Sequence, residues 1–226
     1  MNNEAKSLWI VVGDIHDDCR RFTDIPELAD AAGIIVSGDI TFDGGVDAAR
    51  KVMEPIAALG KKIFAQIGNM DRPEVTPWLE AQGWNLHASV DWLSSAVAVF
   101  GIGGSTVTPF NTPSEFTEDE YGAWLTEAWA QAEQAEAAVL ISHNPPKNTA
   151  CDFIPGPDIH VGSQAVRDFV EFAQPAVCIC GHIHEAKAQE QIGKTLVINP
   201  GTLADGGYVL LHLNGSSVQA ELKQLP

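Results

Sequence analysis

Seven side chains able to bind a metal ion follow short apolar runs in this sequence. Asp14 and His16 close "WIVVGDIH", Asp39 closes "IIVSGD", and Asn69 follows "FAQIG". His143 ends "AVLISH", and His182 and His184 end "VCICGHIH". Each is ambiguous alone. A Gly-Asp after a strand commonly makes a turn or a helix cap, and a lone His there is commonly just a satisfied polar group. The series as a whole is different, because functional groups collect at the carboxyl ends of strands in α/β sheets. Asp-x-His and Gly-His-x-His add weight, since residues two apart on a turn can converge on one ion or a pair. Five strand ends carrying Asp, His and Asn therefore point to a metal centre, with Asn69 a ligand first and a turn residue second.

The donor set also bears on the metal. Seven groups are too many for one first-row ion and suit two that share a bridging carboxylate. Four imidazoles, two carboxylates and one amide oxygen favour manganese, iron, zinc, nickel or cobalt over calcium or magnesium. Manganese is the first expectation. Two dications against two aspartates leave a local positive charge, a place for a phosphate. Ions about 4 Å apart can clamp two phosphoryl oxygens and hold a hydroxide in line for attack.

The elements that must position these groups alternate in the first part of the chain. Strands are expected at 8–12, 33–37 and 61–67, with helices over 19–32 and 46–59 between them. Such alternation predicts a parallel sheet covered by helices. Further on, "NLHAS", "DWLSSAVAVFGIG", "KTLVIN", "YVLLHL" and "SVQAELKQL" read as strands without intervening helices. Two sheets packed face to face with helices outside accommodate both halves. Residues 117–136 read as an amphipathic helix capped by Thr117, with Tyr121, Trp124, Leu125, Ala128 and Trp129 facing the core.

Composition sets the bounds. The 226 residues, with 45% hydrophobic and 19% charged, fit one globular domain spanning 1–226. Thirteen Lys+Arg against thirty Asp+Glu give a formal charge of −17, which disfavours long nucleic acid as a partner. No apolar run approaches a membrane span, and the start lacks the layout of a signal peptide. Cys19, Cys151, Cys178 and Cys180 show no metal-type spacing, and reduced thiols in the cytoplasm fit best.

The series Gly-Asp-x-His, Gly-Asp, Gly-Asn, Ser-His and Gly-His-x-His resembles the calcineurin-like metallophosphoesterase superfamily. "HVGSQAVRDFVEFAQPAVCICGHIHEA" and "INPGTL" are similar to its small prokaryotic members. The resemblance implies an α/β fold, a four-layer α/β/β/α sandwich of two mixed sheets. It implies that Asp14, His16, Asp39 and His184 hold one ion and Asp39, Asn69, His143 and His182 the other, with Asp39 bridging. Asp14, Asp39, Asn69 and His182 would then also serve catalysis. One departure matters: many members carry a histidine after Gly-Asn that assists the leaving group, and Met70 stands here. A branch with Cys or Met at that position is associated with phosphodiesterase activity. Asp71 is expected to orient the site through hydrogen bonds. Asp17 and Asp18 replace the commoner Gly-Asn and are read as acids capping the helix over 19–32.

The expected activity is metal-dependent hydrolysis of a small phosphate ester, a diester first, by a metal-bridging hydroxide. The alternatives are a phosphomonoesterase and a binding or scaffold protein of the same fold. His160, just before a helix start whose amides could bind an anion, is the candidate general acid in place of a histidine at 70. The loop 103–116 is a candidate lid. Self-association into a homo-oligomer is compatible with the sequence.

Overall fold

A computed structural model describes residues 6–132 and 134–226. The chain runs β1 (Ser7–Val12), β2 (Gly33–Val36), α1 (Val46–Ala57), β3 (Lys62–Ala65), α2 (Val75–Gln82), β4 (Ser89–Trp92) and β5 (Val97–Ile102). There follow β6 (Ser105–Thr106), β7 (Glu115–Phe116), α3 (Glu118–Gln131), β8 (Ala137–Ser142), β9 (Phe153–Ile154) and β10 (Ile159–His160). The last third holds α4 (Gln164–Ala173), β11 (Val177–Ile179), β12 (Ala188–Ile192), β13 (Thr195–Asn199), β14 (Gly207–Asn214) and β15 (Ser217–Gln224).

Two large mixed sheets result. One has the order β15-β14-β1-β2-β3, the other β12-β13-β11-β8-β5-β4. β1, β2 and β3 run parallel, as do β5, β8, β11 and β13, while the outer pairings are antiparallel. Alternation along β1 shows how the layers stack, because successive side chains leave opposite faces of a strand. Trp9 and Val11 join Ile35, Phe64, Val99, Val139, Ile141 and Ile179 in a core between the sheets. Ile10 and Val12 face the other way, against Met53 and Ile56 of α1 and Leu79 of α2. The second sheet turns Phe100, Leu140 and Cys178 outward onto Tyr121 and Leu125 of α3 and Val166 and Val170 of α4. Both sheets are thus covered on both faces, which is why their central strands read as apolar runs. The result is the expected α/β/β/α sandwich.

Two local expectations are corrected. Residues 19–32 form no α-helix but two 3₁₀ turns, Arg20–Asp24 and Pro26–Ala29. Pro26 has no N–H to give to an intrahelical bond and crowds the preceding turn, which disfavours a continuous α-helix over this segment. Asp17 and Asp18 consequently cap no helix: Asp17 accepts from Phe42 N–H at 3.1 Å, and Asp18 accepts from the backbone and guanidinium of Arg20. The helix expected over 117–136 is α3, closed by a full capping box between Thr117 and Glu120. No helix among the described residues is long and apolar enough to cross a membrane.

Candidate metal centre

The carboxyl ends of β1, β2 and β3 in one sheet and of β8 and β11 in the other meet along one rim. Their loops are bonded to each other rather than left free. Asp14 N–H donates to Gly38 O at 3.0 Å, and the N–H groups of Ile15 and His16 both donate to Asp39 O at 2.8 and 3.0 Å. Gly181 N–H donates to His143 O at 3.0 Å, joining the two histidine loops. Gln66 Nε2 crosses between sheets, donating to Ser37 O, Ile102 O and Ile141 O. Close approach explains two of the glycines: a Cβ on Gly68 would collide with the Asp39 carboxylate, and one on Gly181 with that of Asp14.

The rim brings all seven sequence-predicted ligands into two overlapping groups. Atoms of Asp14, His16, Asp39 and His184 lie within 4.8 Å of one another. His184 Nε2 is 3.2 Å from Asp14 Oδ1 and 3.1 Å from His16 Nε2, and His16 Nε2 is 3.5 Å from Asp39 Oδ2. On the other side His143 Nε2 is 3.2 Å from Asn69 Oδ1 and 3.4 Å from the same Asp39 Oδ2. The His182 ring lies against that of His143, with centroids 5.4 Å apart, while its backbone N–H donates to Asp14. Asp39 Oδ2 is therefore the atom between the groups, and Oδ1 is fixed by Met70 N–H at 2.8 Å.

These residues fit a cation. His143 Nδ1 lies 3.2 Å from Ser37 O, and a carbonyl only accepts, so Nδ1 carries the proton. Nε2 then presents a lone pair to two further acceptors, Asn69 Oδ1 and Asp39 Oδ2. With the ring neutral, three acceptors face one point, the donor arrangement of a metal ligand set, with the second nitrogen oriented by a carbonyl. Without an ion a proton partly substitutes. Burial disfavours the His143 imidazolium, but the Asp39 carboxylate outweighs it and raises the pKa to about 9. The reverse holds at His182, where burial and then the His143 charge push the value down to about 4. Asp39 itself is held below the ordinary carboxylate range: burial opposes its charge, and the His143 and His16 rings override that opposition.

Asp71 supports the centre from beneath. Fully buried, it accepts from Gly68 N–H (2.8 Å), Ile40 N–H (3.0 Å), Thr41 N–H (2.8 Å) and Thr41 Oγ1 (2.7 Å). Burial and the adjacent Asp39 charge push its pKa up to about 7, against the donors of Gly68 and Thr41, which favour the charged form. It locks the Asp39 loop to the Asn69 loop, the orienting role expected of it. Gln66 and Asn199 were not anticipated. Asn199 Nδ2 donates to Cys151 O, Gly181 O and Ile183 O, tying the His182 turn to the segment before Asp152. The signal for Gln66 is a polar residue inside an apolar run, and Asn199 lies in "INPGTL".

His160 stands apart from these seven. Its Nδ1 bonds Asp152 Oδ1 at 2.6 Å. The helix start beside it does not offer its amides to an anion, because Glu118 already fills the place. The Glu118 carboxylate accepts from Gln164 N–H, Ala165 N–H and Ser163 Oγ at 3.0, 2.8 and 2.6 Å. A protein carboxylate thus takes the position expected for phosphate. The loop 103–116 is rooted at the rim, with Ser114 donating through N–H to Asn69 O and through Oγ to Asp71 O. Glu115 gathers Thr108 and Thr112 across it, leaving Val107 and Phe110 exposed.

The family description "Metallophosphoesterase, calcineurin superfamily" matches residues 46–223. The chain belongs to that superfamily. As a metallophosphoesterase it is a metal-dependent phosphoester hydrolase, with Asp14, His16, Asp39 and His184 a candidate metal site. It is 35% identical over 194 residues to an uncharacterised protein of Methanocaldococcus jannaschii, covering 83% of each chain. The fold is similar to that of the protein TT1561 of Thermus thermophilus, with TM-score 0.71, 16% identity and coverage of 96% and 99%. A dimetal phosphatase from Danio rerio is similar at TM-score 0.65 and 12% identity, with 96% and 98% covered.

Proposed function

We propose that this metallophosphoesterase hydrolyses a small phosphodiester with two divalent ions, manganese being the first candidate. Asp14, His16, Asp39 and His184 would hold one ion, and Asp39, Asn69, His143 and His182 the other. The position of Asp39 Oδ2, 3.5 Å from His16 Nε2 and 3.4 Å from His143 Nε2, carries this reading, since one carboxylate oxygen serves both groups. When bound, such a pair neutralises phosphoryl oxygens and lowers the pKa of water enough to supply the nucleophile.

The chain's own residues decide what binds. Asp71, Gln66 and the paired loop backbones hold the ligands in fixed positions, so little reorganisation is needed on substrate binding. Met70 decides between ester classes. A diester presents two terminal phosphoryl oxygens and a monoester three. Beside Asp39 and Asn69 the thioether has no N–H or O–H for the third, so the diester suits the rim better. A formal charge of −17 favours a small substrate over a polymer.

The test is hydrolysis of an aryl phosphodiester and its monoester by metal-stripped protein with manganese restored. Preference for the diester supports the reading. Preference for the monoester replaces it with a phosphomonoesterase, and metal binding without hydrolysis of either leaves a binding protein.

A further inference from the structure

The site as described has no residue to protonate a poor leaving group, because Met70 has no proton to give. A second titratable cluster lies outside the seven ligands and is not used by that reading. Asp152 is fully buried, yet both its oxygens are saturated. Oδ1 accepts from Thr149 N–H at 2.8 Å and from His160 Nδ1 at 2.6 Å. Oδ2 accepts from Asn148 N–H at 3.1 Å and Gly162 N–H at 2.9 Å. Three backbone N–H groups already donate to this carboxylate, which makes it the acceptor of the pair and His160 the donor at Nδ1. The tautomer of His160 follows. Nε2 is the atom left to exchange a proton, and it has no hydrogen-bond partner among the described residues.

The fold brings this pair to the metal rim. β9 packs against the turn His184–Ala186, which carries a ligand of the first ion group. His160 pairs with Phe153 across β10 and β9, and the two rings lie 5.2 Å apart. Asn199 bonds both the carbonyl of Cys151, next to Asp152, and those of Gly181 and Ile183 on either side of His182. The dyad and the histidine turn are thus held together by one buried side chain. The imidazole is not needed to hold its own loop, since three amides already bind Asp152. It also keeps contact with solvent, its side chain 36% exposed against 0% for Asp152.

We propose that His160 is the general acid of the phosphoester hydrolysis and Asp152 its positioning residue. The inference rests on the phosphodiesterase reading and gives it the missing proton. Water oxygen bonds to phosphorus as the P–O ester bond breaks, and the pair of electrons in that bond goes to the departing oxygen. That oxygen takes the proton from Nε2 of the His160 imidazolium. The proton released by the attacking water passes to solvent, from which the ring is recharged. Asp152 holds the ring by Nδ1 and leaves Nε2 as the nitrogen that exchanges the proton, the carboxylate–imidazole logic common to general acid catalysts.

The experiment compares wild type with His160→Gln over phosphoesters of graded leaving-group pKa, at matched and measured metal content. General acid catalysis contributes about 10²-fold or more where the leaving group is poor. His160→Gln is expected to lose about that factor on alkyl esters and less than about threefold on a 4-nitrophenyl ester, so its plot steepens. Equal losses across the series, or parallel plots, overturn the proposal. A second arm reads the ring directly by NMR, with manganese replaced by diamagnetic zinc. Addition of inorganic phosphate should shift the Nε2 signal that disappears in His160→Gln, and no shift overturns the proposal. A wild type that hydrolyses no ester removes the phosphodiesterase reading, and the NMR arm then decides whether His160 faces bound phosphate. Asp152→Asn is expected to weaken the acid while the metal content stays unchanged. Loss of metal in either variant would make the pair part of the ligand scaffold and overturn the proposal.

Discussion

His87 makes the fold acid-sensitive at a joint beneath the metal rim. Its Nδ1 accepts from Gly103 N–H at 2.9 Å, so the ring is neutral there. It stacks on Phe116 at 5.6 Å and meets the edge of Trp124 at 5.0 Å. Gly104 N–H in turn donates to Ile67 O, just before Gly68 and Asn69. Burial pushes the His87 pKa from 6.5 down to about 4. Between those values the unfolded chain binds a proton that the folded chain does not, so stability rises with pH. The contribution is fully present above about pH 6.5 and is lost as the pH falls toward 4. At about 1.4 kcal/mol per pH unit the gap amounts to roughly 3 kcal/mol, and the partial exposure of the ring trims it to about 2–3. Urea unfolding of wild type and His87→Asn at about pH 7 and about pH 4 measures it. The variant keeps an acceptor near Gly103 and is weaker throughout for want of the ring, so only the change with pH counts. Wild type should lose about 2–3 kcal/mol more than His87→Asn. Equal losses would refute the assignment of a buried neutral ring.

Three further outcomes follow from the same geometry. Asp39→Asn should lose both ions on dialysis, whereas His16→Ala should keep the ion on the His143 side; elemental analysis that finds both ions in Asp39→Asn removes the shared carboxylate. Glu118→Gln replaces a charged acceptor of three hydrogen bonds at the α4 N-terminus and should cost about 1–3 kcal/mol without changing metal content. An unchanged melting temperature would show that the clamp contributes nothing. Manganese added to stripped protein should raise the melting temperature, by an amount equivalent to about 2.7 kcal/mol at a hundredfold excess over Kd; no rise would mean that the rim does not bind it.

The ligands were legible because each follows an apolar run and has the right chemistry, and the layers because strands buried on both faces read as apolar blocks. The failures have particular causes. The sequence did carry Pro26, and the helical spacing of Phe22, Ile25 and Leu28 masked it. The occupied start of α4 was invisible, since Glu118 lies 46 residues before Gln164 and only the packing of α3 on α4 joins them. Spacing also cannot show which carboxylate oxygen stands between two imidazoles. The Asp152–His160 bond is not legible in the sequence either, although His160 stands just before the helix start. A buried carboxylate that collects three amides is a property of the loop's path, and composition does not record it.

The backbone explains why so many polar contacts surround the rim. Asp14, His16, Asp39 and His182 all adopt positive φ, at 48°, 46°, 48° and 67°, a region that costs a non-glycine residue roughly 1–2 kcal/mol. Strain of that kind, spread over three loops, must be offset by other contacts. Here the strain is offset by paired amides between the Asp14 and Asp39 loops, by Asp71 across the Asp39 and Asn69 loops, and by Asp14 accepting the His182 N–H. Those same bonds hold carboxylates and imidazole lone pairs in mutual proximity, which is electrostatically costly until a cation enters. Conformational strain and unbalanced charge are therefore concentrated on the same few residues. A cation in the candidate site of Asp14, His16, Asp39 and His184 would relieve that charge directly and give three of the strained side chains, those of Asp14, His16 and Asp39, a partner at their far ends.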